Sequence, residues 1–198
     1  GRIGKGLSDQ TIYNYHKGMK VLLRRAHLFG KIESNPYEKL KGHFKRGDKE
    51  NVEYLTENEM QAIMNLELID DSMLSKSRDL FVFQMWTGLA YSDAQAFDIR
   101  QYKNVDGKWM NIGERIKTGS PYVSVLLPPV VKVLEKYGWK TPQIENHVYN
   151  RMLKAVGEMA GIGTRLHSHL ARHSFATYML SNGTRIEHVS KMLGHTTI

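Results

Sequence analysis

The residues whose types and spacing suggest chemistry are His169-Leu170-Ala171-Arg172-His173, followed later by Leu193-Gly194-His195. An arginine fork can hold two phosphate oxygens at once and keeps its proton near neutral pH. Histidine titrates close to neutrality, so it can accept a proton or donate one. Breaking a phosphodiester without a metal requires cations on the non-bridging oxygens, an acid for the leaving oxygen and a nucleophile in line. Arg172 suits the first task and His169 the exchange of a proton, while His195 can add a phosphate hydrogen bond. Lys117, beside the polar turn Thr118-Gly119-Ser120, is a further cation on a tip able to fold over a phosphate.

Two helices must position these groups. Ser168 is suited to cap a helix carrying His169, Arg172 and His173 in its first turns, with Phe175, Tyr178 and Met179 on its apolar side. Asn182-Gly183 stops that helix. Thr184 and Glu187 have the spacing of a capping box for a second helix, with Ile186, Val189, Met192 and Leu193 toward the core and Gly194 at its end. His195 then lies just past a helix end, where its side chain can reach a cleft.

The rest of the chain reads as a mainly α protein with a small three-stranded antiparallel β-sheet, an α+β architecture in two parts. Residues 1–48 form a helical part and a linker, and residues 49–198 the larger domain. In residues 11–29, Ile12, Tyr15, Met19, Leu22 and Ala26 recur at helical intervals as an apolar face. Lys17, Lys20, Arg24 and His27 form a basic stripe opposite. Asn35-Pro36 and the polar run 41–51, with Lys41, Lys45 and Arg46, resemble a linker able to follow a phosphate backbone.

Thr56 and Glu59 form a capping box at the start of the second domain, ahead of Met60, Ile63 and Met64. Residues 80–86 are apolar nearly all round, with Gln84 the polar break, which predicts a buried central helix. Asp106-Gly107 is a hairpin turn signal, and segments 109–112, 115–117 and 122–126 read as the sheet. Pro128-Pro129 opens a helix that Gly138 stops, and another fills 147–159 before Gly161.

Composition narrows the partner class. The chain of 198 residues is 41% hydrophobic and 24% charged, ordinary values for a folded chain with one good core and a small appendage. A net charge of +8 and a pI near 9.5 favour a polyanionic partner. Without cysteine there is neither a disulfide nor a thiolate metal site, which fits a reducing compartment. The apolar run 80–86 is too short to span a bilayer, no signal peptide is visible, and no membrane partner is expected. The start at Gly1 suggests a fragment of a longer chain.

These motifs resemble those of the tyrosine recombinases, or phage-type integrases. Residues His169 to Ala176 match the family's second box and Leu193 to His195 its third. Thr87-Gly88-Leu89-Ala90-Tyr91-Ser92-Asp93 resembles the first box, and Arg115-Ile116-Lys117-Thr118 the hairpin that carries the catalytic lysine. Four motifs in the right order, spread over residues 7–198, are far more specific than any one alone. The resemblance implies a site-specific recombinase that integrates or excises a mobile element by tyrosine attack on double-stranded DNA, with a 3′-phosphotyrosine intermediate. It implies a lysine, here Lys117, that protonates the departing 5′ oxygen, and His173 in a packing role. It implies no metal or nucleotide cofactor, four protomers in the synapsed complex, a monomeric fragment, and a cytoplasmic, bacterial setting.

Two departures from the family pattern stand out. Ala90 occupies the position of the first-box arginine, and Arg115 is the candidate to substitute, because strand alternation places it on one face with Lys117. The family's nucleophilic tyrosine comes about nine residues after the last histidine, past Ile198 here, so the chain as given is expected to form no covalent DNA adduct. The main alternative is a relative that keeps the fold and the basic cleft and binds DNA without cutting it. The i, i+4 pair His169 and His173 also invites a metal hydrolase reading, but Leu170 stands where a His-Glu-x-x-His peptidase carries glutamate.

Overall fold

The computed structural model describes residues 6–40 and 52–195. The chain divides into two compact units, Gly1–Asn51 and Val52–Ile198. In the first, helix α1 (Asp9–Leu28) starts at Ser8, whose hydroxyl accepts the Thr11 N–H. A short 3₁₀ turn, Pro36–Glu38, is capped by Asn35 and meets α1 where His16 Nδ1 and the Tyr37 hydroxyl share a 2.6 Å hydrogen bond. No residue of α1 is buried, and the expected core face is open: Tyr15 is 66% and Leu22 61% exposed. Amphipathic periodicity is present, but a helical face becomes core only where a partner covers it.

The second unit is built around α3 (Met73–Thr87), buried on nearly every side as the apolar run 80–86 predicts. Around it pack α2 (Glu57–Asn65), α4 (Tyr91–Gln95), α5 (Pro128–Lys136), α6 (Asn146–Met159) and α7 (Ser168–Ser181). The Thr56/Glu59 capping box is complete: the Thr56 hydroxyl accepts the Glu59 N–H, and Glu59 Oε2 accepts the Thr56 N–H at 2.8 Å. Strands β1 (Lys103–Val105), β2 (Lys108–Glu114) and β3 (Pro121–Leu126) form an antiparallel sheet in that order. Asp106 and Gly107 both have positive φ, the conformation that a two-residue hairpin between right-twisted strands requires.

The sheet differs from expectation at one place that matters for the site. Residues 103–105 supply the first strand, while Arg115, Ile116 and Lys117 lie in the β2–β3 turn. Asp93 Oδ1 takes the Ile116 N–H at 3.0 Å, a donor that a strand would have given to its neighbour. The Arg115 carbonyl accepts from both Thr118 and Gly119, and Gly119 turns the chain at φ 67°. Alternation therefore does not place Arg115 and Lys117 on one strand face.

Gln84, the polar break in the apolar run, is fully buried and ties three helices together. Its side-chain amide donates to the Leu89 carbonyl and to Ser168 Oγ, both at 3.1 Å, and its Oε1 accepts the Tyr149 hydroxyl at 2.7 Å. Ser168 is thus drawn into the core and does not cap α7. The cap is His167, whose Nδ1 accepts the Leu170 N–H at 3.2 Å.

The capping box expected at Thr184 and Glu187 is also absent. The Thr184 N–H closes the end of α7 on the Met179 carbonyl, and α8 (Ile186–Leu193) starts after Arg185 without a side-chain cap. Phe175, Val189 and Leu193 form a second small core that fixes α8 on α7.

Replacing Gln84 with leucine should lower stability in urea unfolding by at least about 2 kcal/mol, because the Leu89 carbonyl, Tyr149 on α6 and Ser168 on α7 lose their bonds at about 1–3 kcal/mol each. A Gln84→Leu protein as stable as the parent would show that the network contributes nothing.

Candidate functional site

Arg172 sits on the second turn of α7, half-buried, and fastens two helix ends. Its Nη1 donates to the Gly88 carbonyl at 2.8 Å and its Nη2 to the Leu193 carbonyl. Gly88 ends α3 in the left-handed region at φ 67°, and a Cβ there would lie 2.5 Å from the Phe175 ring. Only glycine allows the turn and the close packing together. Gly194 ends α8 in the same conformation, so His195 follows a helix end as expected.

The carbonyls at the end of α8 have no intrahelical donors and carry the negative end of the helix dipole. Two guanidinium groups meet them. Arg115 Nε donates to the Leu193 carbonyl at 3.1 Å, which Arg172 also uses, and Arg115 Nη2 to the Met192 carbonyl at 2.9 Å. Arg115 Nη1 pairs with Asp93 Oδ2 at 2.9 Å, with both side chains buried, and the Tyr122 ring lies 4.3 Å from its Cζ. Asp93, Tyr122 and the Gly88 carbonyl are parts of the site that sequence reasoning missed. The available signal was Asp93 itself, a carboxylate in a segment that otherwise packs inward.

His169 stands on the first turn of α7, partly open to solvent and partly covered, and its ring meets that of His173 edge to face at 4.5 Å between centroids. Burial lowers the pKa values of His169, His173 and His195, and the positive charge of Arg172 lowers all three further. Burial, reinforced by Arg115, brings Arg172 down to about 10, so it is still a cation at neutral pH. The site therefore holds two clustered cations and three histidines kept toward the neutral form, an arrangement that an incoming anion relieves.

Arg172, Arg115, His169 and His195 are thus brought into one electrostatic neighbourhood. Lys117 is exposed in the β2–β3 turn, and among the described residues its side chain has no hydrogen bond or ion pair to them. Lys17, Lys20 and Arg24 are exposed on α1, where Lys20 and Arg24 line a 490 Å³ hollow with Asn35, Tyr37 and Glu38. Lys41, Lys45 and Arg46 lie outside the described residues. Among the described residues no three His, Asp or Glu side chains are grouped to hold a metal ion, and no helix is long and apolar enough to cross a membrane.

The model of the phage integrase family matches residues 53–198. The chain belongs to this family, the tyrosine recombinases. It is 24% identical over 209 residues to a tyrosine recombinase of Thermosipho africanus, covering 98% of this chain and 71% of that protein. Against the tyrosine recombinase XerC of Oceanobacillus iheyensis it is 24% identical over 210 residues, 97% of this chain and 68% of the relative. Among solved structures, the Tn1549 transposon integrase in complex with transposon right end DNA aligns with a TM-score of 0.71 at 15% identity, over 97% of this chain and 73% of that one. The XerH recombinase in a post-cleavage complex with its difH substrate aligns with a TM-score of 0.61 at 16% identity, over 75% of this chain. The match spans 48% of the XerH chain, about half its length. The mainly helical fold with one three-stranded antiparallel sheet is that of these structures.

The depressed histidines give a pH dependence of stability. Their folded pKa values lie below the unfolded value of 6.5, so as pH falls through that value the unfolded chain takes up protons first and stability drops. Thermal melts of the free protein should shift to lower temperature between about pH 7.5 and about pH 5.5, and less so in His169→Gln. An equal shift in the variant would remove His169 from the account.

Proposed function

We propose that the protein is a site-specific recombinase that cuts and rejoins double-stranded DNA through a 3′-phosphotyrosine intermediate and moves a mobile element. The observation that carries this reading is the meeting of Arg172 and Arg115 at the end of α8, with His169 and His195 beside them. In the cleavage step a tyrosine oxygen bonds to phosphorus and the bond to the 5′ oxygen breaks. The tyrosine proton passes to a base, for which His169 is suited because its depressed pKa keeps it neutral near pH 7. Arg172 and His195 stabilise charge on the non-bridging oxygens, and Lys117 protonates the leaving 5′ oxygen.

Arg115 is the second cation of the site, in place of an arginine at position 90. The bond energy is stored in the covalent intermediate, so rejoining needs no nucleotide. Lys17, Lys20 and Arg24 on α1, with Lys41, Lys45 and Arg46, supply contacts to the DNA backbone. Four protomers act together on the DNA, and a monomer is the state of this chain alone.

A second reading, a DNA-binding relative without strand cleavage, is favoured by Ala90 and by the protein carbonyls that already engage Arg172. The two readings part on one experiment. A full-length chain that carries the nucleophilic tyrosine should form an SDS-stable adduct on a nicked target DNA, and Arg172→Ala should reduce the adduct by about 100-fold or more. Binding with no adduct in the parent protein selects the second reading. Affinity should fall with salt under either, by about 0.9 in log–log slope per phosphate contact.

A further inference from the structure

Arg115 is the member of the site whose surroundings define most closely how it acts. Its side chain is 6% exposed, and all three of its nitrogens donate to protein acceptors: Nε to Leu193, Nη1 to Asp93 and Nη2 to Met192. The Tyr122 ring covers one face of the guanidinium. An arginine that clasps a phosphate presents its fork to the ligand, whereas this fork is committed to the protein.

The main chain at the same residue builds the turn that bears Lys117. Arg115 N–H donates to the Ser120 carbonyl at 2.9 Å, and the Arg115 carbonyl accepts from Thr118 at 3.2 Å and Gly119 at 2.7 Å. Asp93 bridges the two roles, since Oδ2 holds the guanidinium and Oδ1 holds the Ile116 N–H, next to Lys117. The contact with α8 is close. A Cβ on Gly194 would lie 2.9 Å from Arg115 Nε and 3.0 Å from its Cγ.

We propose that Arg115 and Asp93 are a positioning pair that docks the Lys117 turn onto the end of α8, so that Arg115 acts on the reaction through Lys117 and does not bind the phosphate. This rests on the recombinase reading, in which Lys117 is the acid for the leaving oxygen. The Ala90 methyl group carries no charge to pair with Asp93, and the β2–β3 turn supplies the cation that the start of α4 lacks. The carboxylate of the first box is thereby joined to the hairpin.

The test uses the full-length protein and two DNA substrates, one with the ordinary 5′ oxygen at the scissile phosphate and one with a bridging 5′ sulfur. A thiolate leaves without protonation, so the sulfur substrate does not need the acid. Lys117→Ala is the reference, and the tested variants are Arg115→Lys and the doubly neutral Arg115→Met with Asp93→Asn. Each variant should lose about 100-fold or more of its cleavage on the oxygen substrate, the usual scale for loss of a general acid. Each should cleave the sulfur substrate at close to the parent rate.

Arg115 variants that remain slow on the sulfur substrate would place the guanidinium on the phosphate itself and overturn the proposal. Parent-like rates on the oxygen substrate would overturn it too. Variants that show no cooperative melt would assign Arg115 to folding alone, which also overturns it. Failure of the parent protein to cleave either substrate sinks the recombinase reading instead, so the two failures are distinguishable.

Discussion

The constraint on which the site depends is the unsatisfied carbonyl end of α8. Its last carbonyls cannot be bonded within the helix, and at this end the helix dipole is negative. The protein answers with two guanidinium groups that share the Leu193 carbonyl, one from α7 and one from the β2–β3 turn. Their mutual repulsion is offset by the carbonyls of Gly88 and Met192 and by the buried carboxylate of Asp93. Losing one partner of a buried ion pair leaves an uncompensated charge at a cost of about 3–5 kcal/mol. The cluster is therefore a stability element that also concentrates positive charge beside His169 and His195.

The helices around this cluster are placed by a mixture of apolar and polar contacts. The core on α3 brings α5, α6 and α7 together without direction, as apolar burial does. Gln84 adds direction. Its hydrogen bonds to Ser168, Tyr149 and Leu89 set where α7 begins along α3, and so where Arg172 meets Gly88. Ser174 does the same on the other side of α7, accepting the Leu55 N–H and donating to the Leu170 carbonyl, both at 2.9 Å. A slip of α7 against α3 would break the Gln84–Ser168 and Arg172–Gly88 bonds together.

How much was legible can be judged from particular elements. The Thr56 cap, the buried α3, the Asp106-Gly107 hairpin and the left-handed Gly194 are all local, decided within a few residues, and all four are found. Three of the misread segments have a common cause. Ser168 had a cap's chemistry, but a glutamine 84 positions away takes its hydroxyl. Residues 115–117 had a strand's alternation, but Asp93 removes a donor. Thr184 had a capping box's spacing, but its N–H closes the preceding helix. In each, a polar group had two available partners and the local pattern named only one.

The sequence by itself determined the family, the helical order and the inventory of charged and titratable groups, because motifs and periodicities are properties of neighbours along the chain. Only the tertiary structure decided that Arg115 pairs with Asp93, that two arginines converge on one carbonyl, and that Lys117 stands on a turn. Those outcomes depend on which donors and acceptors the packed helices leave unsatisfied near one another. Hydrogen-bonding capacity is written residue by residue, but the competition for each partner is settled only when distant segments are brought within about 3 Å.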